Sequence, residues 1–182
     1  MLQPARLGEA MAVLPILVFG DPRLREKAQP VGEVGEAEQR LIDDMVETMH
    51  AAPGIGLAAT QVGVDQRIAV VDVSAGEDPQ ALLVLVNPRI SEIAGEATEE
   101  EGCLSVPDVF VPMRRPQSLL LEALDRQGRP YELRAEGLLA RAICHELDHL
   151  DGALIVDSLS SLKRGLIRRR LARRQEAAAT RA

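Results

Sequence analysis

Residues 144–152, Cys-His-Glu-Leu-Asp-His-Leu-Asp-Gly, combine side chains that bind metals with one that moves protons. On a helix, His145 and His149 stand four apart on one face, so both imidazoles can reach a single ion. Glu146, beside the first of them, falls within reach of a water on that ion. The pattern predicts metal-assisted hydrolysis. The chain has three histidines, and two of them carry this spacing. The competing explanation is a helix with two unrelated core or surface histidines. An apolar stripe beside the pair predicts a buried helix, where unpaired imidazoles are costly.

A catalytic site of the zinc type takes three protein ligands and leaves one position open. Downstream of His149 there is no further His; Asp157 belongs to no motif and Glu176 lies in a basic tail. Upstream, Cys103 lies in Glu-Gly-Cys-Leu-Ser at 101–105, where Gly102 permits close backbone approach to a metal or ligand. A Cys103 thiolate gives a Cys-His-His set soft enough for zinc or iron(II). Cys144 is the rival. It neighbours His145 and therefore points about 100° away around the helix, so it is expected to pack as a small hydrophobe. A third segment, Gly54-Ile-Gly-Leu-Ala-Ala-Thr-Gln61, reads by itself as a tight turn. Its small residues would also let backbone approach a ligand, and Gln61 offers an amide donor to an oxyanion.

These residues need elements to hold them. Leu41, Ile42, Met45, Val46 and Met49 predict a helix over 36–51, ended by Pro53-Gly54. Apolar runs at 68–73, 81–87 and 118–123 predict strands, and the more polar 90–101 a long exposed strand. Gln127 to Pro130 predicts a turn joining 119–125 to 131–135. Leu139, Ile143, Leu147 and Leu150 predict the metal-binding helix over 136–150, ending at Gly152. A final amphipathic helix is expected over 159–174, with Leu159, Leu162, Leu166, Ile167 and Leu171 opposing the arginines. The fold class expected is α+β: antiparallel or mixed β-sheets around a central metal-binding helix, with a C-terminal helix. Residues 1–10 read as a loose leader, 11–175 as one catalytic domain including the basic helix, and 176–182 as a tail.

Composition narrows the function. A chain of 182 residues with 46% hydrophobic and 27% charged residues fits one soluble domain. Aromatics are 2% with no Trp, against a nucleic-acid site built on stacking. No apolar run reaches the roughly 20 residues of a membrane span. Without a secretion signal, the two cysteines are expected as free thiols in the cytoplasm. The net charge is −7, yet residues 158–174 carry seven Lys and Arg and no acid, which suggests an anionic partner for the last helix.

Three segments in this order, Gly54 to Gln61, Glu101 to Ser105 and His145 to His149, together resemble the peptide deformylase family. Val13-Leu-Pro-Ile-Leu and Asp21-Pro-Arg-Leu-Arg25 look like that family's start, and the likeness runs from about Met11 to the basic helix. It implies removal of the formyl group from formyl-methionine of nascent polypeptides. It implies Cys103, His145 and His149 as ligands of one divalent metal, usually Fe2+ in the cell, with Zn2+, Ni2+ or Co2+ as substitutes. Glu146 would be general base and then acid; Gln61 and the Leu104 N–H would stabilise the oxyanion. Ile55, Gly56 and Gly102 would pair with the substrate backbone in a strand-like manner. Leu138, Ala142 and His145, on one helix face, would line the methionine pocket. In some members a basic C-terminal helix docks on the ribosome, and 158–174 looks similar; neither a membrane nor sequence-specific nucleic-acid binding is implied.

Some positions depart from the family pattern. Cys144 stands where Gln is common. Arg141 stands beside the pocket where an apolar residue is frequent, its stem expected to pack while its head reaches solvent. Glu101 is open to bonding behind a ligand or pairing with Arg114 or Arg115. His50 is expected to act as a capping cation at the end of the first helix. Two other function classes compete: a metalloprotease, disfavoured by the missing downstream ligand, and a zinc-stapled binding module, which would be closed by four protein ligands.

Overall fold

The computed structural model describes residues 12–180, so the leader expected at 1–10 lies outside it, as do the last two residues of the expected tail. Helix α1 (Glu36–Ala51) begins where Glu38 reaches back to accept the Gly35 N–H at 3.0 Å. It stops at Pro53-Gly54, where the Gly54 N–H returns to the Met49 carbonyl. Strands β1 (Gly56–Ala58), β2 (Ile68–Val71) and β3 (Leu83–Ala94) follow. Next come β4 (Ala97–Cys103), β5 (Val106–Arg115), β6 (Ser118–Leu124) and β7 (Pro130–Glu136). Helix α2 (Gly137–Leu150) and helix α3 (Ser161–Ala179) close the chain.

Five strands form one sheet in the order β1-β2-β3-β6-β7, every neighbouring pair antiparallel. Strands β4 and β5 form a separate antiparallel pair. Alternation along the strands sorts side chains between two cores. Ala69, Val71, Leu85, Leu119 and Leu121 pack with Ala140, Ile143, Leu147 and Leu150 of α2. On the opposite face Leu57, Ile68, Val70 and Val86 pack with Ile42, Met45 and Met49 of α1. Because β2 is covered on both faces, Ile-Ala-Val-Val is apolar throughout. The central position expected for the metal-binding helix is therefore the one α2 occupies.

Three element expectations are corrected. The single strand expected over 90–101 is two: the chain turns at Gly95, where φ is +66°, and passes from β3 into the separate hairpin. Strand β5 was not expected, because Pro107 and Pro112 argue against a strand. It tolerates them as an edge, with β4 its single partner among the described residues. The apolar face expected of the last helix is divided. Leu171 is buried with Phe19, Val111 and Ile155, whereas Leu162 and Leu166 are exposed. That helix also begins at Ser161 and runs to Ala179, into the stretch expected as a tail.

Candidate metal centre and active site

Helix α2 brings His145 and His149 to one side, with Nε2 atoms 3.2 Å apart. The end of β4 brings Cys103 alongside, its Sγ 3.2 Å from His149 Nε2. All three donor atoms lie within 4.8 Å of one another. His149 Nε2 faces a second imidazole nitrogen and a sulfur, and can carry at most one proton between them. A single cation among the three satisfies all of them, so the residues fit a metal. Thiolate and imidazole are soft and borderline donors, suited to zinc or iron(II) rather than magnesium or calcium. His149 is 1% exposed, and burial together with the neighbouring His145 pushes its pKa well below the usual histidine value. It is held neutral, the form that ligates.

Cys103 owes its place to an irregular hairpin. Glu101 pairs with Val111 but Cys103 with Val106, so residues 107–110 loop out opposite Gly102. Asp108 in that loop has φ +58°. The Phe110 ring lies over Gly102, where an added Cβ would meet it at 3.1 Å.

Behind the ligands, Glu101 accepts from His145 Nδ1 at 3.0 Å and from Arg115 Nε and Nη2 at 2.9 and 3.0 Å. Arg114 pairs instead with Glu96. Burial works against the charged form of Glu101, but the bonds from His145 and Arg115 outweigh it and hold the carboxyl down at about 2. Arg141 corrects an expectation. Its head is buried and bonds Glu101 Oε1 at 2.8 Å instead of reaching solvent. A deeply placed carboxylate makes the interior the better environment for that guanidinium.

Glu146 is 3% exposed, and its Oε2 has no hydrogen-bond partner among the described residues. Burial pushes its carboxyl up to about 7. Gly56 on β1 faces it so closely that an added Cβ would lie 2.2 Å from Oε1. Gln61 sits in a turn after β1. Its Oε1 accepts the Ala58 N–H at 2.9 Å, which aims Nε2 at Ser105 Oγ, 3.1 Å away, and toward Cys103 Sγ at 3.9 Å. Leu104 occupies the tight turn from β4 to β5, its side chain against Gly54.

A cavity of about 440 Å³ opens over these groups. Ile55, Gly56, Gly102, Leu138 and Ala142 all line it, with Gln61, Leu104, His145 and Glu146. Leu138 and Phe110, 51% and 68% exposed, flank its mouth. The structure thus brings every expected site residue except His149 onto one cavity wall, with His149 directly behind. Cys144 lies in the core against the sheet, and burial raises its thiol to about 11. His50 bonds the Asp72 carboxylate at 2.9 Å instead of serving only as a cap.

Sequence reasoning missed Ser105 as the partner of Gln61, for which no signal exists beyond its place in the motif. It also missed the depth of Arg141. There a signal was present: an Arg four residues before a ligand shares its buried face and needs a carboxylate nearby.

Residues 13–165 match the polypeptide deformylase family. The peptide deformylase of Alkalilimnicola ehrlichii is 56% identical over 161 residues, 88% of this chain and 90% of that protein. That of Nitrosococcus oceani is 51% identical over 93% of this chain and all of its own length. Among solved structures, a peptide deformylase from Legionella pneumophila superposes with a TM-score of 0.85 at 45% identity, covering 92% of this chain and 98% of that one. One from Ehrlichia chaffeensis in complex with actinonin gives 0.83 at 37% identity over 90% and 98%. The chain belongs to the polypeptide deformylase family, metal-dependent hydrolases that remove the N-terminal formyl group from new polypeptides.

Proposed function

We propose that this chain hydrolyses the formyl amide of formyl-methionyl polypeptides, releasing formate, with Cys103, His145 and His149 holding the metal. The observation that carries this reading is the convergence of Cys103 Sγ with the Nε2 atoms of His145 and His149, at a cavity that Cys103, His145 and Glu146 line. A divalent ion held there would acidify a water and polarise the formyl carbonyl. Iron(II) is proposed in the cell, with zinc, nickel or cobalt as substitutes.

The protein's own groups do the rest. Glu146, unpartnered at Oε2 and poised near neutrality by burial, takes the proton of the attacking water. It then hands that proton to the departing amine. Charge growing on the formyl oxygen is met by Gln61 Nε2, aimed by the Ala58 bond, and by the Leu104 N–H. Ile55, Gly56 and Gly102 pair with the peptide backbone as an added strand. Leu138 and Ala142, with His145, line the side of the cavity proposed for the methionine side chain. Gly56 lets the backbone of β1 approach Glu146, and a site walled by glycine backbone there is proposed to suit the small formyl group and disfavour larger acyl groups.

No described helix is long and apolar enough to cross a membrane. A cytoplasmic location beside the translation machinery is proposed from the substrate, and a ribosome contact from the arginines of 158–174 on α3. Residues 11–175 are proposed as the catalytic unit. The test offers formyl-Met-Ala-Ser, acetyl-Met-Ala-Ser and an unblocked longer peptide to anaerobically prepared protein. Formate from the first, with no acetate from the second and no cleavage of the third, supports the reading; cleavage of an internal peptide bond without formate release would make the protein a metalloprotease instead.

A further inference from the structure

Two of the three ligands sit on α2 and the third on the β4–β5 hairpin. That hairpin shares no ladder with the five-stranded sheet. An isolated pair of strands is marginal alone, so side chains must fix its distance from α2. Arg141 makes the most extensive of these ties. It stands four residues before His145 on α2, and it is 6% exposed. Nη1 donates to Glu101 Oε1 at 2.8 Å and to the Met113 carbonyl of β5 at 3.0 Å. Nη2 donates to the Ala97 carbonyl of β4 at 3.1 Å, and Nε faces Glu99 at 3.3 Å. One planar fork therefore grips both strands of the hairpin from the helix.

The grip ends at the ligands. The carboxylate that Arg141 holds by Oε1 holds His145 Nδ1 by Oε2, and Glu101 is two residues before Cys103 on the same strand. Arg115 Nη1, bonded to Asp148 of α2 at 2.7 Å, supplies a second tie from the hairpin side, but it reaches no carbonyl of either strand.

Resting on the metal-centre reading above, we propose that Arg141 is a positioning residue. It locks the hairpin to α2 so that Cys103, His145 and His149 converge on one ion, and it sets the orientation of His145 through Glu101. Lysine could not replace it fully, because an ammonium cannot span Glu101, Ala97 and Met113 in one plane.

The experiment measures Co2+ binding and the visible absorption of the Co2+ protein in the full-length chain, for wild type, Arg141→Met and Arg141→Lys. Methionine keeps much of the stem and leaves Glu101 its bonds to Arg115. Urea unfolding of each metal-free protein reports on the fold separately. The expected result is Co2+ affinity about 10–100-fold weaker in Arg141→Met, with a shifted absorption band, from a protein that still unfolds cooperatively. Arg141→Lys should fall between the two. Wild-type affinity and an unchanged band in folded Arg141→Met would overturn the proposal. If that variant does not fold, Arg141→Lys decides by the same criteria. Failure of both to fold also overturns it, since Arg141 would then support the fold rather than the ligand set. A wild-type protein that binds no Co2+ would defeat the metal-centre reading itself.

Discussion

Gly56 and Glu146 face each other so closely that a methyl group added to the glycine would lie 2.2 Å from Glu146 Oε1. The atom it would meet is the end of a side chain that borders the cavity, so the carboxylate must move aside into that space. Gly56→Ala should therefore displace Glu146 more than it disturbs the fold. We expect a loss of about 1–3 kcal/mol in urea unfolding from overpacking. Formate release should fall about 100-fold, as for other misplacements of roughly 1 Å. Retained activity in Gly56→Ala would show that the observed placement of Glu146 is not what the reaction depends on.

Three protein ligands and an open position mark a catalytic site, while structural sites close with four. The two apolar cores on the faces of the five-stranded sheet are built without any of the three ligand side chains. Chelation should abolish activity yet leave the far-ultraviolet circular dichroism near that of the loaded protein. Global unfolding on metal removal would point instead to a metal-stapled binding module.

Asp72, 1% exposed, accepts from Ser74 N–H and Oγ at 2.9 and 2.6 Å, Gly76 N–H at 2.9 Å and His50 at 2.9 Å. Burial opposes its charge, but the bonds from Ser74 and His50 prevail and lower its pKa. A lowered carboxyl stabilises the fold above its unfolded value, about 3.9, and that stability is lost as pH falls through the folded value. Asp72→Asn should cost about 1–3 kcal/mol at pH 7 and flatten the loss of stability below about pH 4. Urea midpoints at neutral and acid pH measure both.

Leu171 is 1% exposed and Leu162 is 70% exposed on the same helix. Leu171→Ala should destabilise by about 2–3 kcal/mol, while Leu162→Ala should stay within about 0.5 kcal/mol. Equal effects in thermal unfolding would mean that α3 docks by a different face.

The sequence pattern reached α2 readily, because its apolar spacing, the His pair and Gly152 all agree on one buried helix. Cys103 was reachable by elimination and by its glycine neighbour. Strand β5 was not, since two prolines and a looped-out 107–110 erase the alternation on which a strand is recognised. What Arg141 binds was hidden for another reason, although its place on the buried face was not. Its partners Glu101, Ala97 and Met113 come from a hairpin far away in the chain, and spacing along one helix cannot reveal them. The divided face of α3 has the same origin: periodicity shows that leucines share a side, but which of them meet Phe19 and Ile155 depends on where the helix docks.

The most direct measurement is the rate of formate release from formyl-Met-Ala-Ser by wild type and Glu146→Gln, each carrying one metal ion per chain. Glu146 is proposed to act on the attacking water and is not one of the three metal-binding residues, so the variant should keep its metal and lose about 100- to 10,000-fold in kcat. Formate release at the wild-type rate by metal-loaded Glu146→Gln, or none by the wild type, would contradict the account.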